Sequence, residues 1–276
     1  MTTVAEALAG AAALGLARLD AQQLLAHLLG RTRTWLLAHD DVPLSAEQSM
    51  RYRELCSRRA AGEPFAYLVG EREFHGLVLQ VTPAVLVPRP DTETLVDWAL
   101  ELLQHPLGSV ATPRVIDLGT GSGAIALAVK HRCPRAQVRA LDTSEAALEV
   151  ARSNAGRLRL DVAFTLGDWW NGLAGQRWHL ALSNPPYIAA DDHHLAALQY
   201  EPLQALTPGG DGLGAIDRLV EDAPTHLEPG GWLLMEHGHD QAAAVRSRLQ
   251  ARGFVNIDTK LDIESRERCT GGQWRA

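Results

Sequence analysis

This sequence predicts a doubly wound α/β domain preceded by a small helical one, and three observations carry the prediction. After Pro113, short β-rich runs alternate with helical patterns, the rhythm of a parallel sheet covered on both faces. One of those runs, Val115-Ile116-Asp117-Leu118, passes straight into a glycine cluster that opens a helix. Residues 2 to 62, by contrast, show helical periodicity and no strand pattern.

Taken in order, Leu8, Leu14, Leu16 and Leu19, then Leu24, Leu25, Leu28 and Leu29, recur at helical spacing. Gly30 is placed to cap the second run, and Ser45 with Gln48 makes a capping box at the start of a third helix. That helix carries Glu47 in its first turn and then Arg51, Arg53, Arg58 and Arg59. With Glu54 and Glu63 diluting it, the arginine cluster reads as a solvated face, contact with RNA or an acidic partner being the alternative. From Phe65 to Val87 the pattern turns β-rich, with Leu77-Val78-Leu79-Gln80-Val81 followed by Thr82-Pro83, which fits a hairpin linker. Pro88-Arg89-Pro90-Asp91 breaks the chain before a helix from about Thr92 to Leu103. Strands are expected at Arg114–Leu118, Gln137–Leu141, Ala163–Leu166, His179–Ser183, Trp232–Glu236, Val255–Thr259 and near Arg268–Trp274. The expected division is therefore a helical domain over 1–62, a hairpin linker over 63–90 and the sheet domain over 91–276.

Composition bounds the function. The chain has 276 residues, enough for about two domains at ~150 residues each. Its 46% hydrophobic and 21% charged residues are ordinary globular usage. A net charge of −7 argues against non-specific coating of nucleic acid, which needs clustered positive charge. Cys56, Cys133 and Cys269 are too far apart for a C-x-x-C pair and odd in number, so they read as reduced thiols. The apolar run from Ala7 to Ala17 is too short to cross a membrane and has no basic leader, so a cytoplasmic location is expected.

Two segments carry the chemistry. Gly119-Thr120-Gly121-Ser122-Gly123, between a strand and a helix, permits close backbone approach to a nucleotide, and Asp142, 23 positions after Gly119, ends the next strand where it can accept from a ribose diol. The spacing Gly119-x-Gly121-x-x-Ala124 leaves NAD open. Asp117 favours S-adenosylmethionine, because an acid before the glycines suits a cationic amino-acid end better than a pyrophosphate, and Gly123, two positions after Gly121, makes the turn resemble the G-x-G-x-G turn of class I methyltransferases. The second segment, Asn184-Pro185-Pro186-Tyr187, ends the strand His179–Ser183, so it shares the crevice at the carboxyl ends of the strands. The amide oxygen of Asn184 and the carbonyl of Pro185 suit one NH2 group, and Tyr187 suits a planar wall. Asp191-Asp192-His193-His194 reads as a solvated lid and His237-x-His239 as polar residues at a strand end, so no metal is expected.

Together these segments resemble the class I methyltransferases that act on planar NH2 nitrogens, and the resemblance sharpens over nearly the whole chain. Glu63-Pro64, Tyr67-Leu68-Val69-Gly70, Arg72-Glu73-Phe74, Val87 to Glu93, Asp117 to Leu127, Asp168-Trp169, Asn184 to Tyr187, Glu201-Pro202 and Leu234 to Gly238 are similar to release factor glutamine methyltransferases of the HemK/PrmC type. The resemblance implies a class I (Rossmann-like) methyltransferase sheet with a helical substrate-recognition domain and a hairpin linker. It further implies methyl transfer from S-adenosyl-L-methionine, leaving S-adenosyl-L-homocysteine, to the side-chain amide nitrogen of the Gly-Gly-Gln glutamine in class I peptide chain release factors. Gly119, Thr120, Gly121, Ser122, Gly123, Asp142, Trp169 and Asn184 would then contact the cofactor, and Asn184, Pro185, Pro186 and Tyr187 the glutamine, with Asn184, Pro185 and Tyr187 catalytic. Core packing is the competing account of Trp169-Trp170, and Trp170 is unusual bulk for that position. Arg89 and Glu93 fall on a loop placed to cover the site, and Gly271-Gly272-Gln273, which repeats the substrate triplet, falls in an expected strand. A nucleic-acid amine, a ribosomal-protein glutamine and a non-catalytic nucleotide-binding role are the rival readings; no membrane and no sequence-specific nucleic acid are expected as partners.

Overall fold

The computed structural model describes residues 2–275. Contacts divide the chain into two compact units, Met1–Glu71 and Arg72–Ala276.

The first unit is helical, with α1 (Val4–Ala13), α2 (Arg18–Leu29), α3 (Arg33–Ala38), α4 (Ala46–Ala60) and α5 (Phe65–Val69). Its core gathers Val4, Leu24, Leu25, Leu36, Tyr52 and Leu55. The Tyr52 hydroxyl is satisfied there by donating to the Ala21 carbonyl at 3.0 Å. Gly30 ends α2 in the left-handed region and Ser45 with Gln48 closes a reciprocal capping box on α4, both as the residue pattern anticipates. Leu14 and Leu19 depart from the leucine periodicity, at 48% and 49% exposed. They flank the turn between α1 and α2, where Leu16 alone points inward. The arginines of α4 are mostly paired: Arg51 with Glu54, Arg58 with Glu54 and Glu63, Arg59 with Asp20.

Phe65–Val69 corrects the β-rich reading of that stretch, because it is a helical turn. Pro64 stands at its N-cap, Gly70 closes it in the left-handed region, and Ala66, Tyr67 and Leu68 are buried. A short apolar run does not distinguish helix from strand by periodicity, and here the flanking Pro and Gly decide it.

In the second unit, β1 (Glu71–Phe74) and β2 (Leu77–Gln80) form a two-stranded hairpin whose turn, His75-Gly76, takes positive φ at both positions. A 3-10 turn, Pro90–Thr92, leads into α6 (Glu93–Gln104). The chain then runs β3 (Arg114–Leu118), α7 (Ala124–Arg132), β4 (Gln137–Asp142), α8 (Glu145–Leu158), β5 (Val162–Leu166), β6 (Trp178–Ser183), α9 (Gly214–His226), β7 (Leu227–Glu236), α10 (Ala242–Arg252), β8 (Phe254–Leu261) and β9 (Glu267–Trp274). Their order in the sheet is β5-β4-β3-β6-β7-β9-β8, parallel except where β9 runs antiparallel to both β7 and β8.

Fully buried parallel strands have two apolar faces, and the core divides accordingly. One cluster packs Leu95, Val96 and Ala99 of α6 and most of α7 against Val115, Leu180 and Leu182. The other packs Ile216, Leu219 and Val220 of α9 and Val245 and Leu249 of α10 against Ile116, Leu118 and Ala181. Strand order reverses at β3, whose neighbours are β4 on one side and β6 on the other, so the carboxyl ends of β3 and β6 flank the switch-point crevice.

Gly271 shows how tightly β9 is fitted. A Cβ there would overlap Leu234 Cδ2 and stand 2.7 Å from the Leu233 carbonyl oxygen, whereas one on Gly156 in α8 meets nothing within 4 Å. Gly271→Ala is expected to destabilise by about 1–3 kcal/mol through overpacking, and Gly156→Ala to stabilise by about 0.5–1 kcal/mol through helix entropy. Thermal or denaturant unfolding of the two variants checks the opposite signs.

Candidate active site

A cavity of about 540 Å³ opens at the carboxyl ends of β3, β4 and β6, within the usual size of small-molecule sites. Among the described residues its lining includes Gly119, Thr120, Gly121 and Ser122, then Asp142, Trp169, Asn184 and Pro186. The two segments singled out in the sequence therefore meet in one place. Ser183 holds them there: its hydroxyl donates to the Leu118 carbonyl at 2.7 Å, joining the ends of β6 and β3.

The glycine turn is held from two sides. Asp142 accepts the Gly121 N–H on Oδ2 at 2.8 Å and the Ser144 N–H on Oδ1 at 2.9 Å, so its carboxylate is locked in one rotamer at the cavity wall. Burial raises its pKa, against those backbone donors. Gly119, Gly121 and Gly123 all take positive φ, a backbone region that favours glycine at each. Gly123 departs from its expected role because it does not line the cavity. It caps α7, and a Cβ there would come 3.0 Å from Leu127 Cδ1 and 3.3 Å from the Ala151 side chain, so packing demands the glycine.

Asp117 also departs from expectation. It is fully buried beneath the turn, where Oδ2 accepts from the Thr120 hydroxyl at 2.6 Å and the Ala126 N–H at 3.2 Å, and it is absent from the cavity wall. Burial pushes it up to about 7, against those two donors. Its place is that of a brace for the turn and the start of α7.

Trp169 and Trp170 divide the two accounts offered for them. Trp169 lines the cavity at φ +53, an outlying conformation for a bulky residue, and its ring lies 3.4 Å from where a Gly119 Cβ would stand. Trp170 is core: it donates Nε1–H to the Leu219 carbonyl at 3.1 Å and stacks on His226 at 4.9 Å between ring centroids. Its bulk is therefore turned away from the cavity.

At the other end, Asn184 donates Nδ2–H to the Thr92 hydroxyl oxygen at 3.2 Å. Pro185 and Tyr187 lie outside the lining. The Tyr187 hydroxyl donates to Glu236 Oε1 at 3.1 Å, and Gln241 Nε2 donates to the Tyr187 carbonyl at 2.9 Å, so the tyrosine is fastened at both ends. Burial raises its hydroxyl pKa, with the Glu236 charge adding to the effect. Glu236 is itself buried and pushed up to about 7, against the hydroxyls of Thr92 and Tyr187 and the Arg268 charge. Arg268 in turn pairs with Asp262 at 3.1 Å and Asp91 at 3.4 Å.

Several partners of the site are joined by contacts that the residue pattern does not show, although Arg89, Glu93, Asp168 and Glu201 fall in segments singled out in the sequence. Glu201 is buried and takes the Val87 N–H at 3.0 Å and the Arg89 guanidinium on its two oxygens. It thereby ties the cavity-lining strap before α6 to the loop after β6. Glu93 accepts the His75 N–H at 3.0 Å and serves the hairpin. Asn154 bridges β2 to the glycine turn, donating to the Gln80 and Ser122 carbonyls at 2.9 and 3.0 Å. Arg218 and Asp168 form a 2.5 Å ion pair at the cavity edge. Donor atoms of Asp192, His193 and His194 lie within 4.8 Å of one another on an exposed 3-10 segment, where Asp192 already accepts the His194 N–H. His237 lies inside, between Thr270 Oγ1 at 2.7 Å and the Gly238 carbonyl at 2.8 Å.

Comparison with known proteins follows the same division. A family model described as the PrmC N-terminal domain matches residues 2–70, and one described as the methyltransferase small domain matches residues 92–251. The release factor glutamine methyltransferase of Bordetella pertussis is 51% identical, over 94% of this chain and 95% of its own. That of Xylella fastidiosa (strain Temecula1) is 48% identical over 97% of each. Among solved structures, a methyltransferase from Pyrococcus furiosus superposes with a TM-score of 0.53 at 17% identity, over 84% of this chain and all of its own, which bears on the fold alone.

The buried Glu236 makes the stability of the protein depend on pH. An unfolded glutamate titrates near its ordinary 4.5, while the folded one titrates near 7, so the folded state binds more protons between those values. Stability contributed by this group is present below about pH 4.5 and is lost as pH rises through about 7. Glu236→Gln is expected to flatten the fall in unfolding free energy between pH 5 and pH 8, leaving the share due to Asp117; an unchanged slope refutes the assignment.

Proposed function

The chain belongs to the release factor glutamine methyltransferase family, and from that premise we propose that it methylates the side-chain amide nitrogen of the glutamine in the Gly-Gly-Gln motif of class I release factors. The cofactor is S-adenosylmethionine, which supplies a methyl group on a positively charged sulfur. Residues 1–62 are assigned to recognition of the release factor, 63–90 to a hairpin linker and 91–276 to catalysis, and the cytoplasm, where translation terminates, is the place of reaction.

The residues present suit such a cofactor. Gly119, Thr120, Gly121 and Ser122 offer a close backbone approach, and the pinned Asp142 carboxylate keeps lone pairs for a ribose diol. The ring of Trp169 and the acidic side chains nearby favour a flat base and a cationic centre.

Chemistry at an amide nitrogen is difficult because its lone pair is delocalised into the carbonyl. Asn184 supplies a remedy, and its orientation is the observation that carries this reading. With Nδ2 committed to Thr92, the side chain presents Oδ1, an acceptor, in the cavity that also holds the glycine turn. Asn184 Oδ1 holds one N–H of the substrate amide in the cavity and the carbonyl of Pro185, next in the chain though outside the lining, takes the other, which favours a pyramidal nitrogen and directs its lone pair toward the methyl group. Bound in that cavity, S-adenosylmethionine would supply the methyl group to this nitrogen, its S–CH3 bond breaking with the bonding pair left on sulfur as the N–CH3 bond forms. One N–H proton is then released past these acceptors, so no strong base is needed. Preorganised acceptors and orientation account for the acceleration.

Methyl transfer from labelled S-adenosylmethionine to a purified release factor tests the reading against the same factor with its motif glutamine changed to alanine. Label on the unaltered factor alone is expected. Label on neither refutes the substrate and directs attention to nucleic-acid amines and ribosomal proteins. Asn184→Ala is expected to lower the rate roughly 10²–10³-fold with cofactor binding only mildly weakened; an unchanged rate removes Asn184 from the mechanism.

A further inference from the structure

We propose that Thr92 is a positioning residue, which fixes the side-chain amide of Asn184 with its oxygen toward the substrate by accepting the Nδ2 hydrogen. The inference rests on the function proposed above and extends it to a residue outside the Asn-Pro-Pro-Tyr segment.

A carboxamide has two ends of nearly equal size and opposite hydrogen-bonding character, so shape alone does not choose between its two orientations. A substrate NH2 group requires an acceptor. With Asn184 turned over, two NH2 groups would face each other and the substrate hydrogen assigned to Asn184 would lose its acceptor, leaving only the one on the Pro185 carbonyl. The choice must come from a protein group that distinguishes donor from acceptor, and the Thr92 hydroxyl oxygen, 3.2 Å from Asn184 Nδ2, is that group.

A hydroxyl can donate as well as accept, so its own proton needs a fixed destination. The buried Glu236 carboxylate faces the Thr92 hydroxyl and takes the Tyr187 hydroxyl proton as well. Glu236 Oε2 is buried and has no hydrogen-bond partner among the described residues, so it is left as the acceptor toward which the Thr92 proton can turn. With the Thr92 proton drawn toward Glu236, the Thr92 oxygen is left to accept from Asn184. The groups facing Glu236 are thus two hydroxyls, with the Arg268 cation and the Asp91 anion further back.

Thr92 is also held where a positioning residue must be. It is buried, lines the cavity, and ends the 3-10 turn Pro90–Thr92, in which Pro90 limits the backbone. Arg89, just before that turn, is fastened to Glu201, and α6, just after it, is packed on the sheet through Leu95, Val96 and Ala99. Asn184 is equally fixed by the end of β6. Two rigid elements therefore bring one donor and one acceptor together across 92 positions of sequence.

The test sets Thr92→Val, which keeps the shape and removes the hydroxyl, against Thr92→Ser, which keeps the hydroxyl and removes a methyl group. Each is assayed for methyl transfer to the release factor and for S-adenosylmethionine affinity by direct titration, at a temperature where circular dichroism shows it folded. Thr92→Val is expected to lose at least about tenfold in kcat, with cofactor affinity within about twofold of wild type, and Thr92→Ser to stay near wild type. Thr92→Val added to Asn184→Ala should cost nothing more, because the hydroxyl acts through that amide. A packing role gives the reverse order, with Val near wild type and Ser impaired, and overturns the proposal, as does a further loss in the double variant. An independent readout is the 15N side-chain amide signal of Asn184, assigned by its disappearance in Asn184→Ala. It should move in Thr92→Val and stay in place in Thr92→Ser; no movement in Thr92→Val also overturns the proposal. Absence of transfer by the wild-type enzyme would defeat the substrate assignment instead, and the amide signal would still decide the role of Thr92.

Discussion

The site depends on the side-by-side ending of β3 and β6. These strands are neighbours in the sheet although 59 residues of chain, including two further strands, separate them. Their final residues are stitched by the Ser183 hydroxyl on the Leu118 carbonyl, in the dry interior where an unmade hydrogen bond is costly. The glycine turn leaves from one strand end and the Asn-Pro-Pro-Tyr segment from the other. A methyl donor held by the first and an amide held by the second are therefore fixed relative to each other by the sheet itself. Positioning of that kind removes translational freedom before any charge effect contributes.

Behind each of these segments lies one buried carboxyl group. Asp117 braces the glycine turn through Thr120 and Ala126, and Glu236 takes the hydroxyl of Tyr187 and faces that of Thr92. Both are raised to about 7 by burial, and each retains one oxygen without a hydrogen-bond partner among the described residues. Stability alone does not favour such groups, since a well-packed apolar side chain would avoid the desolvation. What they contribute is direction: each holds hydroxyl or backbone donors at set angles, and those donors set the first layer of the site. Thr120 and Thr92 both rest against such an acid and both line the cavity wall.

The parts legible in the sequence are those whose physics is local. The glycine turn needs positive φ, Asp142 ends a strand at the expected distance from it, and Asn184 follows an apolar strand; each reads within a few residues. The same holds for Gly30 and the Ser45 capping box. Phe65–Val69 was ambiguous because five apolar residues suit helix and strand alike, and only Pro64 and Gly70 outside the run settle it. Glu201, Asn154 and Thr92 act on residues 114, 74 and 92 positions away, contacts that no local pattern encodes. Even the tryptophan pair separates only in three dimensions, because the left-handed backbone at Trp169 sends adjacent rings to opposite places.

The tail segment Gly271-Gly272-Gln273 shows how little a triplet means without its setting. In β9 it pairs with β7 on one side and β8 on the other, so its backbone groups are spent on the ladder. Gly271 is a glycine because Leu234, the Leu233 carbonyl and Trp98 leave no room for a Cβ, and Gly272 because Phe254 and Ile257 crowd it. The Gln273 amide is likewise engaged at both ends, donating to the Gly230 carbonyl at 3.0 Å and accepting from Asn256 at 2.8 Å. A glutamine that is to be methylated needs the opposite: an amide without protein partners, on backbone loose enough to enter a cavity and meet Asn184. Glycines in a substrate loop confer that freedom by lacking a side chain, while glycines in β9 lose it for the same reason, since the absent side chain lets neighbours close in. Recognition of the triplet must then reside in how a loop presents it, and the three residue types alone cannot supply it.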